Sequence, residues 1–149
     1  RDVTARAQLL EDLHRSNTLL STTESVAKVG GWELDLDTGR MFWTDETYRI
    51  HELDPAQFQP SLEGALACYL PDSQLQIRNA AARAASEGVG ADLQLCLRTP
   101  AGRLVDVRLT AVVEHAEGRY RRAHGSIQDI SESKRAAAEL QRTQAHLQN

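Results

Sequence analysis

The sequence predicts an α+β domain: a five-stranded antiparallel sheet with short helices on one face, flanked by N- and C-terminal connector helices. Three observations predict it. Apolar residues alternate with polar ones through Trp32, Leu34 and Leu36, through Leu93, Leu95 and Leu97, and through Val105, Val107, Leu109, Ala111 and Val113. That is the period of two that half-buried strands require. Turn chemistry separates the runs at Asp37-Thr38-Gly39-Arg40, Thr99-Pro100-Ala101-Gly102 and Ala116-Glu117-Gly118. Between the first two strands and the last three, the pattern changes to helix starts.

In chain order, residues 5–28 contain neither Gly nor Pro and read as one helix. Leu9, Leu13, Ser16, Leu20, Thr23 and Ala27 are spaced as the a and d positions of a coiled-coil seam, weakened by its Ser and Thr. The alternative is an amphipathic helix packed on its own domain. Gly30-Gly31 is expected to end this helix in the left-handed conformation of a C-cap. A strand follows with Glu33, Asp35 and Asp37 outward, and Met41-Phe42-Trp43 begins its return. Thr44 is placed as an N-cap, with Asp45 and Glu46 at the positive end of a short helix. That helix carries Tyr48 and Ile50 towards Leu53. A second short helix is expected from Ser61 to Tyr69. A third starts at Pro71, a favourable first helical residue, and runs to Gly88. Three strands complete the domain, the last from Arg119 to Gln128.

A chain of 149 residues, 41% hydrophobic, fits one domain with helical extensions. Its net charge of −4 argues against a nucleic-acid surface, and the one basic cluster, Arg119, Arg121 and Arg122, is interrupted by Tyr120. No run approaches the ~18 apolar residues of a bilayer span, and the use of only two cysteines fits a reducing, cytoplasmic setting. Cys68 and Cys96 are too few for a disulfide scaffold and lack zinc spacing. Catalysis is not expected. Glu33, Asp35 and Asp37 look like a solvated strand face, Ser21, Ser25 and the histidines form no nucleophile phrase, and no glycine-rich phosphate cradle precedes a helix.

One phrase occurs twice. Asp2-Val3-Thr4 answers Asp129-Ile130-Ser131 at an offset of 127 residues, and Asp12-Leu13 answers Glu139-Leu140. Ala136, Leu140, Thr143 and Leu147 repeat the seam spacing at the same offset. A recurrence on the scale of one domain implies a unit of a tandem array, with a joint at each end. Asp129 and Ser131 are expected to cap the first turn of the helix that follows, satisfying amides the helix cannot.

The element order and several phrases resemble the PAS sensor domain over roughly residues 26–134. Gly31-Trp32-Glu33-Leu34-Asp35-Leu36 and Gly39-Arg40-Met41-Phe42-Trp43-Thr44-Asp45-Glu46 look like its first hairpin and helix. Leu70-Pro71-Asp72-Ser73 is similar to the start of its long helix, with Leu70 where His is usual. Pro100-Ala101-Gly102-Arg103 is similar to its Asp-Gly hairpin turn, with Ala101 where Asp is usual. The most specific match is the exit, Gly125-Ser126-Ile127-Gln128-Asp129-Ile130-Ser131-Glu132-Ser133-Lys134. On this resemblance, residues 1–28 form a connector following an upstream exit motif, 29–130 the PAS domain and 131–149 the C-terminal connector.

The resemblance implies a sensory module of a larger receptor, such as a histidine kinase of a two-component system or a diguanylate cyclase. It would sense a small ligand, or relay a conformational change through the C-terminal helix, with Asp129, Ile130 and Ser131 in signal transfer. The alternative is a ligand-free dimerisation and spacer module. Expected partners are a second copy through the flanking helices, neighbouring PAS and output domains, and a possible small molecule, with no nucleic acid and no membrane contact.

The identity of any ligand is open, but no covalently bound cofactor, haem or light-sensing flavin is expected. The Asn-Cys-Arg-Phe phrase of flavin photosensors is absent, and residues 71–88 lack the His of haem-binding members. Cys68 reads as a small buried residue, and Cys96 falls on the polar phase of its strand, facing outward. His51 sits where a His is unexceptional in the PAS subgroup common in bacterial receptors, which the chain most resembles. His14 and His146 belong to connectors, and His115 and His124 do not pair at metal spacing. Trp32, Trp43 and Tyr48 would wall a non-covalent flavin, and equally form a core. A ligand pocket would lie between the inward strand faces and the helices, lined by Tyr48, Leu95, Leu97, Val107 and Leu109. A filled core would contain the same residues.

Overall fold

The computed structural model describes residues 2–148, with side chains over 3–145. Arg1 and Asn149, the ends of the two expected connectors, lie outside the described residues, as do the side chains of Asp2, His146 and Leu147. The elements are α1 (Asp2–Ala27), β1 (Val29–Asp35), β2 (Met41–Trp43), α2 (Asp45–His51), α3 (Leu62–Leu66) and α4 (Pro71–Glu87), then β3 (Ala91–Arg98), β4 (Leu104–Ala116), β5 (Arg119–Asp129) and α5 (Ser131–Gln148). The strands form one antiparallel sheet in the order β2-β1-β5-β4-β3. The last strand of the chain is therefore the central one, and α5 leaves directly from it.

Alternation decides the sheet faces. Trp32 and Leu34 of β1 are buried while Glu33 and Asp35 are exposed, and Leu95, Leu97, Val105 and Val107 continue the buried face. These residues join Trp43, Ile50, Ala65 and Tyr69 in the core. The outer face is polar and cross-linked by pairs such as Arg108–Asp92 and His124–Glu114. Helix α4 starts at Pro71 and stops at Gly88, whose φ of 68° is the left-handed cap that glycine accepts without strain. Ser61 caps the start of α3, its Oγ accepting the Gly64 N–H at 3.0 Å.

The structure corrects three expectations. Lys28, not Gly30-Gly31, takes the left-handed conformation after α1, with φ 56°. Both glycines are strand residues, opposite Ile127 and Ser126. Gly30 is required by close approach, because a Cβ there would collide with the hydroxyl and backbone nitrogen of Thr47 on α2. Thr44 precedes α2 but does not cap it with its side chain; its hydroxyl accepts the Gly31 N–H at 2.9 Å instead. Helix α3 ends at Leu66 rather than Tyr69, because Tyr69 leaves the helix to bridge Leu97 on β3.

For helix α1 it is the alternative reading that fails. The helix is not packed on its own domain: Leu9 is 68% exposed, Leu13 55% and Leu20 60%. The described part of α5 beyond Ser131 is likewise exposed. Both helices stand away from the sheet, and the apolar seam positions among the described side chains face solvent.

Candidate functional site

Strand β5 ends at Asp129, and at that point five backbone and side-chain links tie three segments together. The Asp129 N–H donates to Lys28 O at 3.1 Å, so the end of α1 is bonded to the end of β5. The Ile130 N–H donates to Asp106 O at 2.8 Å. In return the Asp106 N–H donates to Ser131 Oγ at 3.1 Å. Asp129 Oδ1 accepts the Ser131 N–H at 3.0 Å, and Lys134 Nζ lies 3.7 Å from Asp106 Oδ1. Lys28 and Glu132 approach to 4.0 Å, an exposed pair of little energetic weight.

Of the two expected caps, Asp129 acts as one and Ser131 does not. The ladder between β4 and β5 stops at Val107–Asp129, leaving the amide of Asp106 with no strand partner. A buried or half-buried N–H needs an acceptor, and the Ser131 hydroxyl supplies it. Ser131 therefore fastens α5 to β4 instead of capping its own helix. Ile130 contributes its backbone to the same clasp. The clasp lies in an open cleft of about 640 Å³ between the end of α1, α2 and the start of α5, whose walls include Glu46, Arg49, Arg103 and Arg135.

A second feature lies inside the core. A cavity of about 70 Å³ is walled by Trp32, Met41, Trp43, Thr47, His51, Ala65, Tyr69, Ile77, Leu109 and Ile127. A further void of about 50 Å³ lies under α4, sharing Trp32, Ile77 and Leu109 as walls. Of the five residues expected to line a pocket, Leu109 does so. Leu95, Leu97 and Val107 are buried at 0–3% exposure as core filling outside the cavity wall. Tyr48 is half-buried and packs its ring against Trp43, centroids 5.3 Å apart.

His51 is the residue that local reasoning passed over. It is 2% exposed, stacked on Trp43 at 4.3 Å. Its Nδ1 lies 2.8 Å from Thr47 O and its Nε2 3.0 Å from Tyr69 Oη. A carbonyl only accepts, so Nδ1 carries the proton and Nε2 accepts from the Tyr69 hydroxyl. Burial lowers the His51 pKa to about 4 and raises that of Tyr69. Both are neutral, mutually satisfied groups. The available signal was the four-residue step from Thr47 to His51, which puts the ring over a backbone carbonyl one turn back.

These walls do not fit a flavin or a haem. Small-molecule pockets usually enclose ≈ 300–1,000 Å³, several times this cavity. His51 Nε2 is already occupied, and neither cysteine reaches the wall. Cys68 Sγ points to Gly64 O at 3.7 Å, and Cys96 lies opposite Asp106; burial raises both thiol pKa values. Among the described residues, no group of three or more His, Cys, Asp and Glu is placed to hold a metal ion, and no helix is long and apolar enough to cross a membrane.

A five-stranded antiparallel sheet in the order 2-1-5-4-3, with α2, α3 and α4 on one face and a further helix springing from its central strand, defines an α+β class. The particular fold is the PAS fold. The structure superposes on a sensory box histidine kinase/response regulator from Burkholderia thailandensis E264 with a TM-score of 0.68 at 18% identity, covering 87% of this chain and 97% of that one. For the N-terminal domain of a diguanylate cyclase with PAS/PAC sensor from Marinobacter aquaeolei the TM-score is 0.64 at 17% identity, covering 71% and 98%. For an RNA-binding light-oxygen-voltage receptor it is 0.62 at 22% identity, covering 75% of this chain and 35% of that one. No family model matches the sequence, and no curated protein matches it.

Proposed function

We propose that residues 29–130 are a sensory and relay module of a larger cytoplasmic signalling receptor, joined by connectors 1–28 and 131–149 to neighbouring PAS and output domains. The module catalyses nothing itself, works as a parallel homodimer through its flanking helices, and binds neither nucleic acid nor membrane. Output belongs to a kinase or cyclase elsewhere in the receptor. The clasp at Asp129-Ile130-Ser131 carries this reading. It is the point where core strand β4, the incoming helix and the outgoing helix share hydrogen bonds. The recurrence of the same phrase at Asp2-Val3-Thr4 supports it, as do structural neighbours that are domains of a histidine kinase and a diguanylate cyclase.

Removing the cap carboxylate tests this. Losing an N-terminal cap costs about 0.5–2 kcal/mol of helix stability, enough to shift the start of α5 severalfold without unfolding the sheet. Asp129→Ala in the full-length receptor should keep the circular dichroism and melting behaviour of the core while abolishing the response of the output to stimulus. A full response in that variant would overturn the transfer role.

The ligand-free spacer reading is favoured by the filled core, where Leu97, Val105 and Val107 are 0% exposed and the cavity is small. Native mass spectra of the purified domain beside its denatured mass separate the two. Added mass on the folded species supports ligand input; equal masses support a relay or spacer without a ligand.

A further inference from the structure

Strand β3 is an outer strand of the sheet, and its free edge is only half covered. Residues Cys68–Leu70 run along it opposite 96–98: the Leu70 N–H donates to Cys96 O at 3.1 Å, and the Arg98 N–H to Cys68 O at 2.7 Å. Ser73, 5% exposed, accepts the Cys96 N–H at 2.9 Å. These bonds fix which backbone groups point away from β4. Register with β4 is unbroken from Ala91 to Arg98, so the strand period sends the N–H and C=O groups of Asp92 and Gln94 outward as well. Among the described residues nothing bonds them. At Cys96 a buried serine was placed to satisfy the edge; at Asp92 and Gln94 nothing was.

Exposed edges normally carry some protection: shortness, Pro, Lys, or a bulge. The other outer strand, β2, is three residues long. The stretch Ala91–Leu95 has no Pro, no Lys and no bulge, and its one charge, Asp92, is paired with Arg108 at 2.6 Å on the outer face. An open groove of about 380 Å³ between this edge and Asn79, Ala80 and Arg83 of α4 leaves space beside it for another strand.

We propose that this edge pairs antiparallel with the same edge of a second copy, about a two-fold axis at Leu93. The register is self-complementary. The outward N–H and C=O of Asp92 meet those of the partner's Gln94, and the converse pair forms across the axis, giving four backbone hydrogen bonds. The Asp92 side chain then lies opposite an amide, so no like charges face each other. The contact uses neither connector helix and does not depend on the signalling reading.

Amide hydrogen exchange, followed by NMR on the whole 149-residue chain over a concentration series, tests it. Exchange at Asp92 and Gln94 should slow severalfold as concentration rises, while Leu93 and Leu95, whose amides face β4, stay unchanged. Gln94→Lys places an ammonium opposite the partner's Asp92 and should move the onset of protection to lower concentration. Gln94→Asp places two carboxylates together and should move it higher. Gln94→Pro removes an outward donor without touching the β4 ladder and should abolish protection. Concentration-independent exchange at both amides would overturn the proposal. So would Lys and Asp variants that shift in the same direction, or a dimer by sedimentation that leaves both amides unprotected. Because Gln94 is exposed, the Lys and Asp variants decide the matter even where the Pro variant fails to fold.

Discussion

Trp43→Ala should lower the unfolding free energy by about 3–5 kcal/mol, the usual cost of deleting a buried large aromatic. Trp43 is 4% exposed and holds three pieces of the domain together. Its ring stacks on His51 of α2 at 4.3 Å and on Phe58 of the following loop at 5.2 Å, and meets the edge of Tyr48. Removing it also enlarges the cavity that it already walls. The adjacent Phe42 is 63% exposed on the opposite face of β2, so Phe42→Ala should change stability by no more than about 0.5 kcal/mol. Urea titrations of both variants check the contrast; equal midpoints would mean that the β2 face assignment is wrong.

The second large effect is on pH. His51 has a folded-state pKa of about 4 against an ordinary value of 6.5, because burial disfavours its charged form. The unfolded chain therefore takes up the proton first. The contribution to stability is fully present above pH 6.5 and is lost as pH falls towards 4, by roughly 3 kcal/mol in all. His51→Gln keeps a neutral group that can donate to Thr47 O and accept from Tyr69, and it should remove this slope. Subtracting its stability profile from that of the wild type isolates His51 from the carboxylates that also titrate at the acidic end. A difference profile that is flat between pH 4 and 6.5 would show that His51 is solvated in the folded protein.

What was legible in the sequence depended on how far away each residue's partner lies. Alternation over Trp32–Leu36 and Val105–Val113 predicts faces because the strand period is local, and Pro71 and Gly88 bracket α4 because their backbone constraints are local. Thr44 and Ser131 have the side chains of caps, yet each hydroxyl is taken by a distant backbone N–H, Gly31 in one case and Asp106 in the other. Gly30-Gly31 reads equally well as a helix stop or as a strand under a close neighbour, and only the position of Thr47 decides. The exit clasp was partly visible because the phrase recurs. The cavity was not, because it is what remains after Trp32, Met41 and Ile77 have packed, and no pattern along the chain encodes that remainder.

The bond between the Asp129 amide and Lys28 O has a mechanical consequence. It gives the two projecting helices a common fulcrum at the end of the central strand. Helix α5, with 18 residues, is a lever arm about 27 Å long. A tilt of about 10° at its root would carry its tip through about 5 Å, close to one helical turn. Displacements of a fraction of an ångström at Asp106 would thereby be magnified at the far end.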